Sequence, residues 1–155
     1  MKGRTLALAI GLVVGLIAVT AASAAVINGT PGDDTLRGTL GSDADNLSGG
    51  DGSDRVSGNQ GEDTVSGGNG DDVLFGGWGA DRLSGGDGND TLHALAADGK
   101  ADVLNCGRGD DTAFVLRSER PTTKLENCER VFIEVTLTPD QNADENGDTD
   151  ADADG

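Results

Sequence analysis

The sequence predicts an all-β protein, a parallel β-roll in which very short strands wind into a solenoid. Three observations carry that expectation. From Ser48 to Leu92 one nine-residue phrase recurs five times without a gap, as SGGDGSDRV, SGNQGEDTV, SGGNGDDVL, FGGWGADRL and SGGDGNDTL. The 155 residues include 26 Gly but only three Phe, one Trp and no Tyr, so the large rings that fill a thick sandwich or barrel core are missing and only a thin core can form. Each phrase also divides into a glycine half and an x-U-x half, U being a large aliphatic residue.

The two halves call for different backbones. Positive φ and close backbone approach are tolerated cheaply only without a Cβ, so the glycine half is a turn. The x-U-x half is a short strand, with U inward and its neighbours outward because side chains alternate. Two copies then make one coil of 18 residues with a strand on each side. Leu36, Leu47, Val56, Val65, Leu74, Leu83, Leu92 and Leu104 are expected to stack into a narrow ladder. The outward neighbours Arg55, Ser57, Thr64, Ser66, Arg82 and Ser84 are polar, as solvent-facing positions should be.

Along the chain, residues 1–24 come first and differ from the rest. Lys2 and Arg4 precede an apolar run from Leu6 to Val19, and Ala22-Ser23-Ala24 supplies small residues before Ala25. This is the pattern of a cleavable secretory signal, which predicts a secreted, extracellular protein. The run is about 14 residues against the roughly 20 a membrane-spanning helix needs, so no membrane span is expected in the mature chain.

The roll is expected over residues 25–114. Gly29 to Leu36 is a first copy, and the next, Gly38 to Leu47, is longer by two residues, so Asp43 and Asp45 both fit its Asp slot. Five regular copies follow. His93 to Leu104 carries three extra residues before Asp102-Val103-Leu104, and Cys106 to Ala113 closes a series of nine. Residues 115–138 read as a C-terminal cap. Phe114-Val115-Leu116 and Val131 to Leu137 look like strands, joined by a charged segment from Arg117 to Lys124 that contains Pro121. They would cover the open edge of the last coil. Residues 139–155 hold no aliphatic residue larger than Ala and read as a disordered acidic tail.

The charge balance restricts partners. The whole chain has 11 basic and 28 acidic residues; taking away Lys2 and Arg4 leaves 9 against 28, or −19. Phosphate binding needs the opposite sign, which excludes nucleic acid. So much negative charge opposes compaction, and the chain needs cations to fold. Two cysteines in an exported chain, Cys106 and Cys128, are most simply a disulfide, because a single His and no CxxC leave too few ligands for zinc.

The Asp slots carry the chemistry. Calcium takes six to eight oxygens, and both carboxylates and backbone carbonyls serve. A glycine turn aims carbonyls at one point, and the following Asp adds charge. Stacking of every second copy pairs Asp54 with Asp72, Asp63 with Asp81 and Asp72 with Asp90, flanked by Asp34 with Asp54, Asp45 or Asp43 with Asp63, and Asp90 with Asp111. The pairing of Asp81 with Asp102 is left open by the three-residue insertion. Carboxylates stacked in this way would repel without an ion between them, so more than turn capping is implied. The opening glycines Gly49, Gly58, Gly67, Gly76 and Gly85 complete the expected calcium site.

On residues 29 to about 114, the phrase G-G-x-G-x-D-x-U-x resembles the RTX, or hemolysin-type calcium-binding, repeat family. The resemblance implies a parallel β-roll with calcium between successive turns. Such repeats often follow a protease, lipase or toxin domain, and no such domain is present here. The pairs Cys106-Gly107 and Cys128-Glu129 are similar to those of small stand-alone secreted members.

An enzyme is not expected. G-x-S-x-G and H-E-x-x-H are absent, and His93, the single histidine, has no partner at a recognisable spacing. Arg108-Gly109-Asp110 falls on ordinary repeat slots, and Trp78 on a turn. The leading expectation is a calcium-binding β-roll whose folding is coupled to calcium. The alternative is an adhesion or matrix module touching polysaccharide or a cell surface. It calls for a continuous outward ladder, which Arg55, Val73, Arg82 and Thr91 do not make.

Overall fold

The computed structural model describes residues 16–18, 24–118 and 120–134, and the acidic segment 139–155 lies outside them. Among the described residues there are thirteen strands and no helix. They are β1 (Leu16–Ala18), β2 (Val26–Asn28), β3 (Thr35–Arg37), β4 (Asn46–Asp51), β5 (Arg55–Gln60), β6 (Thr64–Asn69), β7 (Val73–Trp78), β8 (Arg82–Asp87), β9 (Thr91–Ala94), β10 (Val103–Arg108), β11 (Thr112–Leu116), β12 (Lys124–Glu126) and β13 (Arg130–Glu134). Odd strands form one seven-stranded sheet in the order β1-β3-β5-β7-β9-β11-β13. Even strands form a six-stranded sheet in the order β12-β10-β8-β6-β4-β2. This is an all-β parallel solenoid of about six turns.

Nine-residue spacing sends alternate copies to alternate sheets, so each residue meets its equivalent 18 positions away. Leu47 pairs with Val65, Val65 with Leu83, and Val56 with Leu74. The eight aliphatic residues of the ladder are each at most 2% exposed, and Ile27, Leu125 and Cys128 extend the cluster toward the ends. Both insertions are absorbed in turns. The two-residue excess loops out around Leu40, which is 76% exposed, and the three-residue excess lies between β9 and β10. The inward column passes both without a shift, since Leu104 still meets Leu83.

At the C-terminal end the same winding continues. β12 pairs with β10 and β13 with β11, both parallel. Arg130 fastens β13 by donating from Nη1 to Asp110 Oδ2 at 3.0 Å, from Nη2 to the Asp110 carbonyl at 2.6 Å and from Nε to Thr112 Oγ1 at 3.1 Å. A disulfide joins Cys106 to Cys128 with Cα atoms 5.1 Å apart. Of the strand expected from Val131 to Leu137, the part through Glu134 is β13 and the rest lies outside the described residues. At the other end β1, which falls within residues 1–24, pairs with β3 as Leu16↔Thr35, Ile17↔Leu36 and Ala18↔Arg37.

The outward face of the seven-stranded sheet holds an aromatic column that the sequence reading missed. It occupies the position after U, whereas Arg55, Val73 and Thr91 stand before U. Phe75, His93, Phe114 and Phe132 stack face to face, with centroids 4.5, 4.8 and 5.2 Å apart. The Arg55 guanidinium covers the Phe75 ring at 4.4 Å.

Candidate metal centre

Each Asp of the repeat sits just before its strand and turns inward. Asp45, Asp54, Asp63, Asp72, Asp81, Asp90, Asp102 and Asp111 are all at most 4% exposed. They form two columns, one beside each sheet. In the first, the Asp34 N–H donates to Asp54 Oδ1 at 2.8 Å, Asp54 to Asp72 at 2.8 Å, Asp72 to Asp90 at 2.9 Å and Asp90 to Asp111 at 2.8 Å. In the second, Ala25 donates to Asp45 at 2.6 Å, Asp45 to Asp63 at 2.8 Å, Asp63 to Asp81 at 2.9 Å and Asp81 to Asp102 at 2.9 Å. The partners stand one full coil apart, which is 18 residues in the regular copies and 20 or 21 where an insertion intervenes. The two open positions are also resolved: Asp45 is in the column while Asp43 is exposed, and Asp102 pairs with Asp81 because its insertion bulges outside the register.

One further rung was not legible from the phrase. The Asp111 N–H donates to Glu129 Oε2 at 3.0 Å, so Glu129 ends the first column. Thr123 takes the corresponding place below Asp102, where the Lys124 N–H donates to the Asp102 carbonyl at 2.8 Å. Glu129 has no glycine turn before it. Its 18-residue distance from Asp111 was the signal that could have found it.

In six of these carboxylates one oxygen is therefore held and the other is not. The Oδ2 atoms of Asp54, Asp63, Asp72, Asp81, Asp90 and Asp111 are buried without a hydrogen-bond partner. In the two N-terminal copies the same atom is used. Asp34 Oδ2 accepts from Thr30 N–H at 2.5 Å and Oγ1 at 3.0 Å, and Asp45 Oδ2 accepts from Thr39 N–H at 2.6 Å.

The glycines explain how these carboxylates fit inside a thin roll. The left-handed positions are the second and fourth of the phrase, as at Gly50 (φ +116°) and Gly52 (φ +118°), and not the opening glycines. The opening glycine is instead an inward-facing residue whose missing side chain leaves room. A Cβ on Gly58 would lie 2.5 Å from the Gly76 carbonyl oxygen and would also strike Asp63 Oδ2; one on Gly49 would meet Asp54 Oδ2 and, at 2.7 Å, the Gly67 carbonyl oxygen. The voids at Gly49, Gly58 and Gly85 are each bordered by an unpartnered carboxylate oxygen and by a carbonyl of the next coil, and those at Gly67 and Gly76 by the carboxylates of Asp72 and Asp81.

Burial of these groups has an electrostatic consequence. Removal from water raises the Asp63, Asp72 and Asp90 carboxyls to about 6, against the pull of the backbone N–H that each accepts. Asp54, Asp81 and Asp111 are raised for the same first reason. No three His, Cys, Asp or Glu side chains among the described residues converge on one point. An ion held here would draw on backbone carbonyls as well as carboxylates, which is the donor set of a hard cation and not of zinc.

The RTX calcium-binding nonapeptide repeat matches the chain in four copies, over residues 24–56, 41–74, 57–92 and 75–113. The chain belongs to that family. RTX nonapeptide repeats bind Ca2+, and the orphaned, buried oxygens suit that ion. No curated protein and no solved structure matches the chain. No helix among the described residues is long and apolar enough to cross a membrane.

Proposed function

We propose that this RTX chain is an exported, non-catalytic calcium-binding β-roll whose folding is coupled to calcium. The observation that carries the reading is the set of six buried Asp Oδ2 atoms without a hydrogen-bond partner. A buried carboxylate half-satisfied in this way costs free energy unless a cation or a proton meets it. Calcium would be held by Asp54, Asp63, Asp72, Asp81, Asp90 and Asp111 in the middle of the columns, with Asp34 and Asp45 at their N-terminal end. The carbonyls beside the voids at Gly49, Gly58 and Gly85 add to the donor set, and Gly67 and Gly76 leave the room beside Asp72 and Asp81. Bound calcium supplies positive charge between stacked carboxylates; the chain supplies a register that repeats the site every half coil.

Residues 1–24 serve as the export signal in this reading, 25–114 as the roll, 115–138 as the cap and 139–155 as an acidic tail. The charge of −19 left after removal of the signal opposes folding in the absence of the ion. Extracellular calcium modules work at roughly 0.1 to 1 mM, so the chain would remain unfolded in the cytoplasm and fold outside. Circular dichroism of the chain from Ala25 at pH 7.5 tests the coupling. A strand spectrum is expected in calcium and a coil spectrum in chelator, and a strand spectrum that persists in chelator would sink the idea.

A further inference from the structure

The two ends of the roll are unlike, and they match each other. At the C-terminal end β12 and β13 are the last strands of their sheets. Val131 and Ile133 stand in inward columns, above Ala113 and Val115, yet are 37% and 47% exposed, since among the described residues no further coil covers them. Phe132 ends the aromatic column with its far face open and is 51% exposed. At the N-terminal end β1 begins the seven-stranded sheet, so that β3 becomes its edge once residues 1–24 are removed, and β2 begins the six-stranded sheet. The Arg55 N–H donates to the Asp34 carbonyl, so in parallel register the N–H and C=O of Thr35 and Arg37 face away from β5, toward the strand that precedes them. The Arg130 N–H donates to the Asp111 carbonyl, which turns the N–H and C=O of Val131 and Ile133 away from β11. Both edges carry the hydrogen-bonding phase of one more internal rung.

β1 shows what the N-terminal edge accepts. A segment of the stretch read as the export signal lies on β3 in the parallel register that every other neighbour uses. A second copy's β13 would occupy the same place, with Val131 over Leu36 and Phe132 in line with Arg37, while β12 met β2 with Leu125 over Ile27. Arg37 is exposed and stands in the aromatic column, where it would cover Phe132 as Arg55 covers Phe75 within the chain.

We propose that the mature roll joins end to end, the β12/β13 end of one copy seating on the β2/β3 end of the next, and that residues 16–18 block this junction until the signal is removed. The inference rests on the proposed removal of residues 1–24. Because the contact is head to tail it does not close, so it builds open chains instead of a dimer.

The test uses sedimentation velocity of the chain from Ala25 in 5 mM calcium, from about 5 to 500 μM, a range that spans weak association. Average mass is expected to climb continuously with concentration. Thr35→Pro removes the outward N–H at one end and Ile133→Pro at the other, both at edge positions where proline is tolerated. Each variant alone is expected to remain monomeric, and an equimolar mixture to form a one-to-one dimer and stop there. Calcium-induced circular dichroism establishes that each variant folds; should either fail, Arg37→Glu and Phe132→Glu replace them. A monomer at every concentration would overturn the proposal. So would a closed dimer insensitive to Thr35→Pro, the mark of two C-terminal ends meeting. Mass growth unchanged in both variants would do the same. Mass spectrometry of the exported chain separately tests removal of the signal, so failure of that reading and failure of the junction are distinguishable.

Discussion

Asp72 illustrates how one residue serves two opposed needs. Its Oδ1 accepts the Asp54 N–H, which the fold requires, while its Oδ2 has no partner and its carboxyl is raised to about 6 by burial. Asn in its place keeps the acceptor and removes the charge. Asp72→Asn is expected to stabilise the metal-free chain by about 1 kcal/mol at pH 7.5, after allowance for solvent screening, and to weaken calcium binding by roughly tenfold or more. Osmolyte-induced folding in chelator and calorimetric titration measure the two effects, and a variant that lost stability with and without calcium would argue that the carboxylate is purely structural. The neighbouring glycines are constrained from the other side. A Cβ on Gly58 would lie 2.5 Å from the Gly76 carbonyl and strike Asp63 Oδ2, and both are fixed by the register. Gly58→Ala should cost about 1–3 kcal/mol in saturating calcium, read as a lowered thermal midpoint; an unchanged midpoint would mean that the void has slack.

At the scale of the strand, the ring column has its own energetics. His93 lies between Phe75 and Phe114, and its Nδ1 is buried without a partner. Burial first, and then the nearby Arg55, lower its pKa, while Glu134 raises it in part. A lowered histidine pKa favours the neutral ring in the fold, so stability falls as pH drops below the ordinary value near 6.5. His93→Phe removes the unpaired nitrogen and continues the column, and should gain about 1 kcal/mol at pH 7.5. In saturating calcium the gain should widen between pH 6.5 and 5.5. A gain independent of pH would assign the effect to packing alone. Much of this level was legible in advance, because a period of nine with glycine and aliphatic slots dictates turn, strand and stacking partner. The aromatic column was not, since only Phe75 belongs to a regular copy: His93 opens the copy with the insertion, Phe114 follows the last regular Asp, and Phe132 belongs to the cap. Glu129 escaped for a related reason, being recognisable only by its distance from Asp111. Asp45 and Asp102 could not be assigned from spacing, because an insertion shifts the count without saying which side of the Asp loops out.

Across the whole molecule the columns make stability depend on pH in a direction that calcium reverses. Asp63, Asp72 and Asp90 titrate near 6 in the folded chain against 3.8 in the unfolded one, and Asp54, Asp81 and Asp111 are shifted the same way. The folded state thus binds more protons than the unfolded state between about pH 4 and 6. Its advantage is complete below the unfolded value and disappears as pH rises through about 6. Calcium-free protein is therefore expected to gain strand signal as pH falls from 7.5 to 4, with protons standing where cations otherwise would. Bound calcium demands the ionised carboxylates, so its affinity should rise over the same interval and its binding should release protons. Circular dichroism of calcium-stripped protein across that range checks the first part, and titrations in two buffers of different ionisation enthalpy check the second. Strand content in the stripped protein that is no greater at pH 4 than at pH 7.5 would mean that the buried carboxylates are not what keeps the empty roll unfolded. The cost would then lie in ordering a chain with 26 glycines, which acid does not relieve.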